Sequence, residues 1–497
     1  MQKKVVIIGA GISGMIAGIY ARKMGFETEM YESHTIAGGL CTGWQRKGYT
    51  VDGCIHWITG SKKGSDLYEI WKACGAIGDH IEVIHHDYIV ACCDDGRYYY
   101  VYADLDKMGK EFLSISPEDE AAINELIGIV RSYQKLPLPA CKPQELLGLF
   151  GKIKFYLPYI RAGKRVLMAS KTSIGAYISR FRSPLIRQML SAVVPNPELT
   201  ANVLFFTLAT FAFRDGGWPE GGSYVMAQRI KERYLAMEGR IYLGTPVKKI
   251  IVQNGKAIGI ELGNRSEIKA DYVVPTISAD VLINQLLDGK YHDSYFERRY
   301  ADNKKYQLLS STLVALGVNT DIKKYPHSLH IKTKHPIFIN QTKITELTIT
   351  HYCHEPSLAP DGKSLIEVAL NDSEFGYWRS LKAASTDDYK RAKEALAIRV
   401  IEEIEAVYPE IKGKVEMTDV ATPLTFHRYC GTYNGSYMSF CMTPGANSQS
   451  HRGVIPGIQN MYPAGQWVLP QGGLPIAAIA GKFAIQRICK QENIKMK

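Results

Sequence analysis

Hydrophobic positions in the first thirty residues change period twice. Val5, Val6, Ile7 and Ile8 form a short β-branched run suited to a buried parallel strand, residues 12–24 read as a helix, and residues 27–31 read as a second strand. The same strand–helix–strand rhythm returns at a helix over 224–237, followed by strand-like segments near 240–243 and 247–250. Between these blocks, residues 71–215 are mostly helical in pattern, whereas 311–318, 336–340, 344–350 and 365–370 read as strands. That second set predicts a sheet flooring a site. A helix over 387–407 carries Leu396, Val400, Ile404 and Val407 on one face and is expected to pack against that sheet.

The turn between the first strand and helix reads Gly9, Ala10, Gly11, Ile12, Ser13, Gly14. Glycine at 9 permits the tight turn, at 11 lets backbone approach a pyrophosphate, and at 14 allows helix and strand to pack closely, while the helix N-terminus supplies amides and a positive dipole end. The second strand ends at Glu32, where a carboxylate would accept hydrogen bonds from the adenosine ribose. Strand, glycines, helix, strand and carboxylate in this order indicate a dinucleotide site, and NAD and FAD share the fingerprint.

Composition narrows the class. With 497 residues, 46% hydrophobic and 22% charged, the chain suits a globular protein of more than one domain. No run of 18 apolar residues occurs, and the nearest, over 461–481, is broken by glutamine, proline and glycine, so no spanning helix is expected. Lys3 and Lys4 before an apolar run imitate a secretory leader, but the glycines mark a nucleotide turn instead. Ten cysteines without C-x-x-C spacing support neither a disulfide framework nor zinc, and a reducing, cytoplasmic setting fits. His351 and His354 lack further ligands, so no metal is expected. The net charge of +11 comes without a nucleic-acid motif, so nucleic acid is not an expected partner. Part of the charge sits in residues 150–171, where basic side chains interleave with aromatics and no acid occurs, a pattern suited to the headgroup region of a membrane. Pro158 is expected to interrupt the helix there.

Further residues carry a family resemblance. Ser33 to Thr42 with Gly38, Gly39 and Leu40, then Asp52, Gly53, Cys54, His56 and Trp57, resemble the two-dinucleotide-binding-domain flavoproteins, within them the phytoene desaturase, carotenoid isomerase and retinol saturase branch. Gly216 to Ser223, Pro356 to Lys363, Thr422 to Tyr429 and Met461 to Pro475 are similar to later landmarks of that branch. The resemblance implies an α/β fold: a Rossmann-type FAD-binding domain from residues 1–70, 216–285 and 421–497, and a discontinuous α+β substrate domain from 71–215 and 286–420. It implies noncovalent FAD held by the fingerprint with Glu32, Ser33, Gly38, Gly39, Leu40, His56, Trp57, Val247, Gly465, Gly473, Leu474 and Pro475. Val247 would meet adenine through its backbone, and His56, Arg428, Tyr429 and Tyr433 are the catalytic candidates. Cys54 departs from the glycine common in relatives and is expected to be a buried thiol or one lining the substrate path.

The activity so implied is an FAD-dependent oxidoreductase that desaturates or saturates a hydrophobic isoprenoid or lipid-like polyene. The alternatives are a cis/trans isomerase without net redox, an amine-oxidase-like enzyme and a lipid escort without catalysis. No second G-x-G-x-x-G opens an NAD(P) domain, so NAD(P)H as electron donor would have to dock directly at the flavin, with quinone, a protein carrier or oxygen as other partners.

Overall fold

A computed structural model describes residues 2–496 apart from 55, 56, 135, 137 and 139. At its amino-terminal end is a four-stranded parallel sheet in the order Arg240–Tyr242, Glu27–Tyr31, Lys4–Ile8, Tyr272–Pro275. The strand Lys4–Ile8 is central, which explains its unbroken apolar run. The helix Ile12–Lys23 follows, its residues 12–21 all buried because the sheet lies on one side and the helices Gly222–Ala236 and Gly473–Gln491 on others. A side chain at Gly14 would place its Cβ 2.0 Å from the Gly9 carbonyl oxygen, so only glycine lets the helix start this close to the turn.

A second, seven-stranded sheet runs in the order Val415–Ala421, Ser311–Val318, Ser364–Asn371, Thr342–His351, Ser328–Ile339, Tyr88–Asp94, Arg97–Tyr102. Its two faces differ. Val314, Leu316, Ile366, Val368 and Ile349 pack with Leu396, Val400 and Ile404 of the helix Thr386–Val407, as the helix's apolar stripe implied. The other face presents the cross-strand pairs Ser311–Asn371, Leu313–Ala369, Glu367–Thr350 and Thr350–Ser328 to a large cavity.

Three local expectations change. Residues 71–215 are not wholly helical: Tyr88–Asp94 and Arg97–Tyr102 form a hairpin turning at Asp95 and Gly96, and the first of these pairs in parallel with Ser328–Ile339. The strand expected at 336–340 begins eight residues earlier, because its exposed Lys332, Lys334 and His335 disguise a ladder that is irregular between Lys332 and Ile337. Pro158 lies inside the helix Leu149–Arg161, and the break comes at Ala162, before the helix Gly163–Lys171. Among the described residues no helix is long and apolar enough to cross a membrane.

Candidate active site

One cavity of about 2360 Å³ runs between the two sheets. It exceeds the roughly 300–1,000 Å³ of a pocket for a single small ligand, and so has room for a cofactor and a second molecule. At one end lie Gly9, Gly11, Ile12, Ser13, Glu32, Ser33, Gly38, Gly39 and Leu40, with Val247 from the strand Val247–Gln253. Gly465, Gly473, Leu474 and Pro475 join the same wall from the carboxyl end. Ala10 and Gly14 stand behind it. The Ala10 N–H donates to the Glu32 carboxylate at 2.7 Å and Gly14 packs on Gly9, so both shape the turn without facing the cavity.

This end fits a nucleotide diphosphate. The helix Ile12–Lys23 has no side-chain cap and no acidic residue in its first turn, which leaves its N-terminal amides and positive dipole end free. The Ser13 hydroxyl is buried without a partner among the described residues. Glu32 accepts from the N–H of Ala10, from the N–H of His34 at 2.8 Å and from the Ser33 hydroxyl at 3.2 Å. These bonds fix its rotamer, and with about four acceptor positions the carboxylate retains capacity for ribose hydroxyls.

Of the catalytic candidates, His56 lies outside the described residues. Tyr433 belongs to an aromatic cluster beside Gly465: its ring is 4.8 Å from Tyr300, which in turn meets Phe440 at 5.1 Å and Trp467 at 5.9 Å. Arg428 is exposed, 5.2 Å from the Tyr429 ring, and Tyr429 meets His34 edge-on at 5.1 Å, which sets both residues near Glu32. Trp57 lines the cavity, with its ring 5.1 Å from Phe211. Cys54 lines it with Cys41 and Cys430. Burial pushes the Cys430 thiol up to about 12, helped by the charge of Glu32, and a hydrogen bond with Cys54, then burial, raises Cys41. Cys41 and Cys430 are therefore held as thiols rather than nucleophilic thiolates.

The cavity also joins motif residues to others that no motif marks. The Asp52 N–H donates to Glu367 at 2.8 Å, Tyr352 donates to the same carboxyl at 2.9 Å, and Asp52 accepts from the N–H and hydroxyl of Ser223. Burial, reinforced by the nearby charge of Asp52, raises Glu367 well above the usual carboxylate range. Three imidazoles, His86, His327 and His354, line the cavity near Tyr352 and Trp218. The remaining wall is largely apolar, with Phe155, Tyr159, Val166, Val203 and Phe206 contributed by the helical segment.

The sequence model of the family described as flavin containing amine oxidoreductase matches residues 12–489. Among curated relatives, the chloroplastic prolycopene isomerase of Daucus carota is 23% identical, over 99% of this chain and 81% of its own length. The all-trans-retinol 13,14-reductase of Danio rerio is 21% identical over 86% and 76%, and the lycopene-forming phytoene desaturase of Pseudescherichia vulneris 22% over 97% and 98%. Among solved structures, cyclohexylamine oxidase from Brevibacterium oxydans superposes with a TM-score of 0.63 at 14% identity, covering 99% of this chain and 100% of that one, a likeness of fold.

Proposed function

This chain belongs to the flavin-containing amine oxidoreductase family, and we propose that within it the protein is an FAD-dependent oxidoreductase acting on carbon–carbon bonds of a hydrophobic isoprenoid or similar polyene. The observation that carries this reading is the single cavity joining Gly11 and Glu32 to a wall that includes Phe155, Val203 and Phe206. Cofactor and a long apolar chain would share one enclosure from which water is excluded.

FAD, when bound, supplies hydride exchange with one carbon of the substrate. The chain's own tasks are binding, orientation and proton handling. Gly11 and the amides after it hold the diphosphate, Glu32 the ribose and Val247 the adenine, while Gly465 and Gly473 to Pro475 border the flavin ring. The rings of Tyr433, Tyr300 and Trp467 form a rigid aromatic wall against which a flat polyene is oriented. Desaturation releases a proton and saturation consumes one, and His56 and Tyr433 are the groups proposed to carry it. Arg428, beside Tyr429 and His34, is proposed to act at the nucleotide end. NAD(P)H is the proposed donor for the reductive direction. The full-length likeness to a prolycopene isomerase supports a second reading, geometric isomerisation without net redox.

We further propose that the helix Leu149–Arg161 rests on a lipid surface. Phe155 and Tyr159 face the cavity, while Leu149, Phe150 and Ile160 are 73%, 87% and 72% exposed among Lys152, Lys154 and Arg161. A substrate dissolved in the membrane would then enter beside this helix.

The test is incubation of flavin-loaded protein with an isoprenoid polyene, with and without NADPH. A product two hydrogens heavier or lighter supports saturation or desaturation, and unchanged mass with a shifted retention time supports isomerisation. Peroxide release with amines and no change in any polyene would overturn the proposal.

A further inference from the structure

His86, His327 and His354 come from three separate stretches of chain and converge on the cavity wall. The rings of His86 and His327 stack at 3.8 Å with 15° between planes, and His354 meets His86 edge-on at 4.5 Å. Trp218 closes over His354 at 5.5 Å. Among the described residues neither ring nitrogen of His354 has a hydrogen-bond partner although both are closed off from solvent and cavity, and the Trp218 indole N–H is in the same condition. Beside them the sheet contributes the hydroxyl side chains Ser328, Thr348 and Thr350 to the lining. The result is a polar patch on a largely apolar wall.

The chemistry of the patch selects its occupant. Among the described residues no group of three His, Cys, Asp or Glu side chains is arranged to hold a metal ion. Burial lowers His86 to about 4 and His354 to about 3, and holds His327 well below the ordinary imidazole range. The charged or titratable groups that act on the three rings are one another, His85, His351 and the carboxylate Asp87, with no lysine or arginine among them. Each neutral imidazole therefore offers one donor and one acceptor and no positive charge. A bare hydrocarbon would leave these buried groups unpaired, and a carboxylate would be buried without a cation. A hydroxyl or carbonyl group pairs with His86 and His327, whose nitrogens are not among the closed-off atoms, while those of His354 stay covered.

We propose that His86 and His327, packed against His354, form a subsite that receives a hydroxyl or carbonyl group on the substrate, so that the enzyme handles an oxygenated isoprenoid in preference to the bare hydrocarbon. This rests on the reading above that the cavity admits a lipid-like chain.

The test titrates flavin-loaded full-length protein, in detergent, with a C20 isoprenoid alcohol, the hydrocarbon of the same skeleton and the corresponding acid, following the flavin absorbance. The expected result is binding of the alcohol at least about tenfold tighter than the hydrocarbon, with the acid weaker than the alcohol. His86→Phe should bring the alcohol-to-hydrocarbon ratio close to one with hydrocarbon affinity kept. His86→Gln, which retains a donor and an acceptor, should preserve most of the preference, and His327→Phe reports on the same subsite if His86→Phe does not fold. Equal binding of alcohol and hydrocarbon by the unaltered protein, a preference untouched by the phenylalanine variants, or tightest binding of the acid would each overturn the subsite. Failure of all three ligands to perturb a fully loaded flavin would instead remove the lipid reading, and the subsite with it.

Discussion

The two ends of the cavity solve the problem of buried polar groups in opposite ways. At the nucleotide end the Glu32 carboxylate is already bonded to two backbone N–H groups and a hydroxyl, and the contact surface is backbone exposed by glycine. At the far end His354 and Trp218 bury nitrogens that no described residue satisfies, behind a wall where His86 and His327 face the cavity. The first end is preorganised by the chain itself and needs its ligand chiefly at the helix N-terminus. The second carries a desolvation cost left uncompensated among the described residues, in a site defined by side chains.

The nucleotide end should break most completely under the smallest substitution. Gly14→Val forces the backbone apart where a Cβ would stand 2.0 Å from the Gly9 oxygen, and we expect protein that is insoluble or free of flavin, with a stability loss of about 1–3 kcal/mol or more. Gly11→Ala sharpens the point. A Cβ there finds no protein atom nearer than 3.9 Å, so the chain should fold normally and lose cofactor alone. Flavin absorbance relative to protein, set beside thermal melting, separates the two results.

Glu32→Ala comes next. It leaves the N–H groups of Ala10 and His34 without an acceptor, at a cost of about 1–3 kcal/mol each where buried, in addition to any lost ribose contact. FAD retention through gel filtration should fall by about tenfold or more in affinity. Glu32→Gln, which keeps one carbonyl oxygen, should fall between. A variant Glu32→Ala that retains its flavin fully would show that the nucleotide end is held elsewhere.

Why the two ends differ in legibility follows from the same contrast. Gly9 through Glu32 make a site within 24 residues because a strand, a turn and a helix must be consecutive for a helix N-terminus to meet a diphosphate. Spacing then carries the chemistry, and the strands Glu27–Tyr31 and Ser311–Val318 lie at the bounds their patterns imply. His86, His327 and His354, or Asp52, Tyr352 and Glu367, are joined only by ring contacts and hydrogen bonds between distant stretches, which a single sequence does not display. One piece was readable and was passed over: Asp95 and Gly96 between two apolar and aromatic runs are a hairpin signal inside a segment taken as helical. Arg428 illustrates the limit of landmarks: its neighbour Tyr429 meets His34, whereas Tyr433 packs on Tyr300, and neither contact is written in the spacing.

The histidine end should announce itself through pH. An ordinary imidazole titrates near 6.5, whereas His86 is held at about 4 and His354 at about 3 by burial. Between those values the unfolded chain binds more protons than the folded one, so their contribution to stability is present above pH 6.5 and is lost as pH falls toward 4. Glu367 has the opposite sign: its raised pKa costs stability as pH rises above the ordinary carboxylate range. Comparison of variants therefore isolates the imidazoles better than the wild-type curve alone. His354→Phe should melt with a shallower decline between about pH 7 and about pH 5 than the unaltered protein. An unchanged slope would mean that His354 is not held neutral.

The smallest effect on the folded enzyme is expected where the protein meets its surroundings. Phe150 and Ile160 project from the helix Leu149–Arg161, in which no residue is fully buried. Replacing both with serine removes almost no internal packing, so Tm and flavin content should stay within the scatter of surface substitutions, about 0.5 kcal/mol. Both ends of the cavity would be untouched. Sedimentation with anionic vesicles should nevertheless fall severalfold, and added salt should weaken what remains through Lys152, Lys154 and Arg161. Turnover of a vesicle-borne polyene would drop while turnover of the same polyene in detergent micelles would hold, as the proposed role of the helix in delivery requires. If vesicle binding survives the double substitution, the exposed face has another use, and the route by which a greasy substrate reaches Tyr433 and the histidines must open elsewhere on the wall.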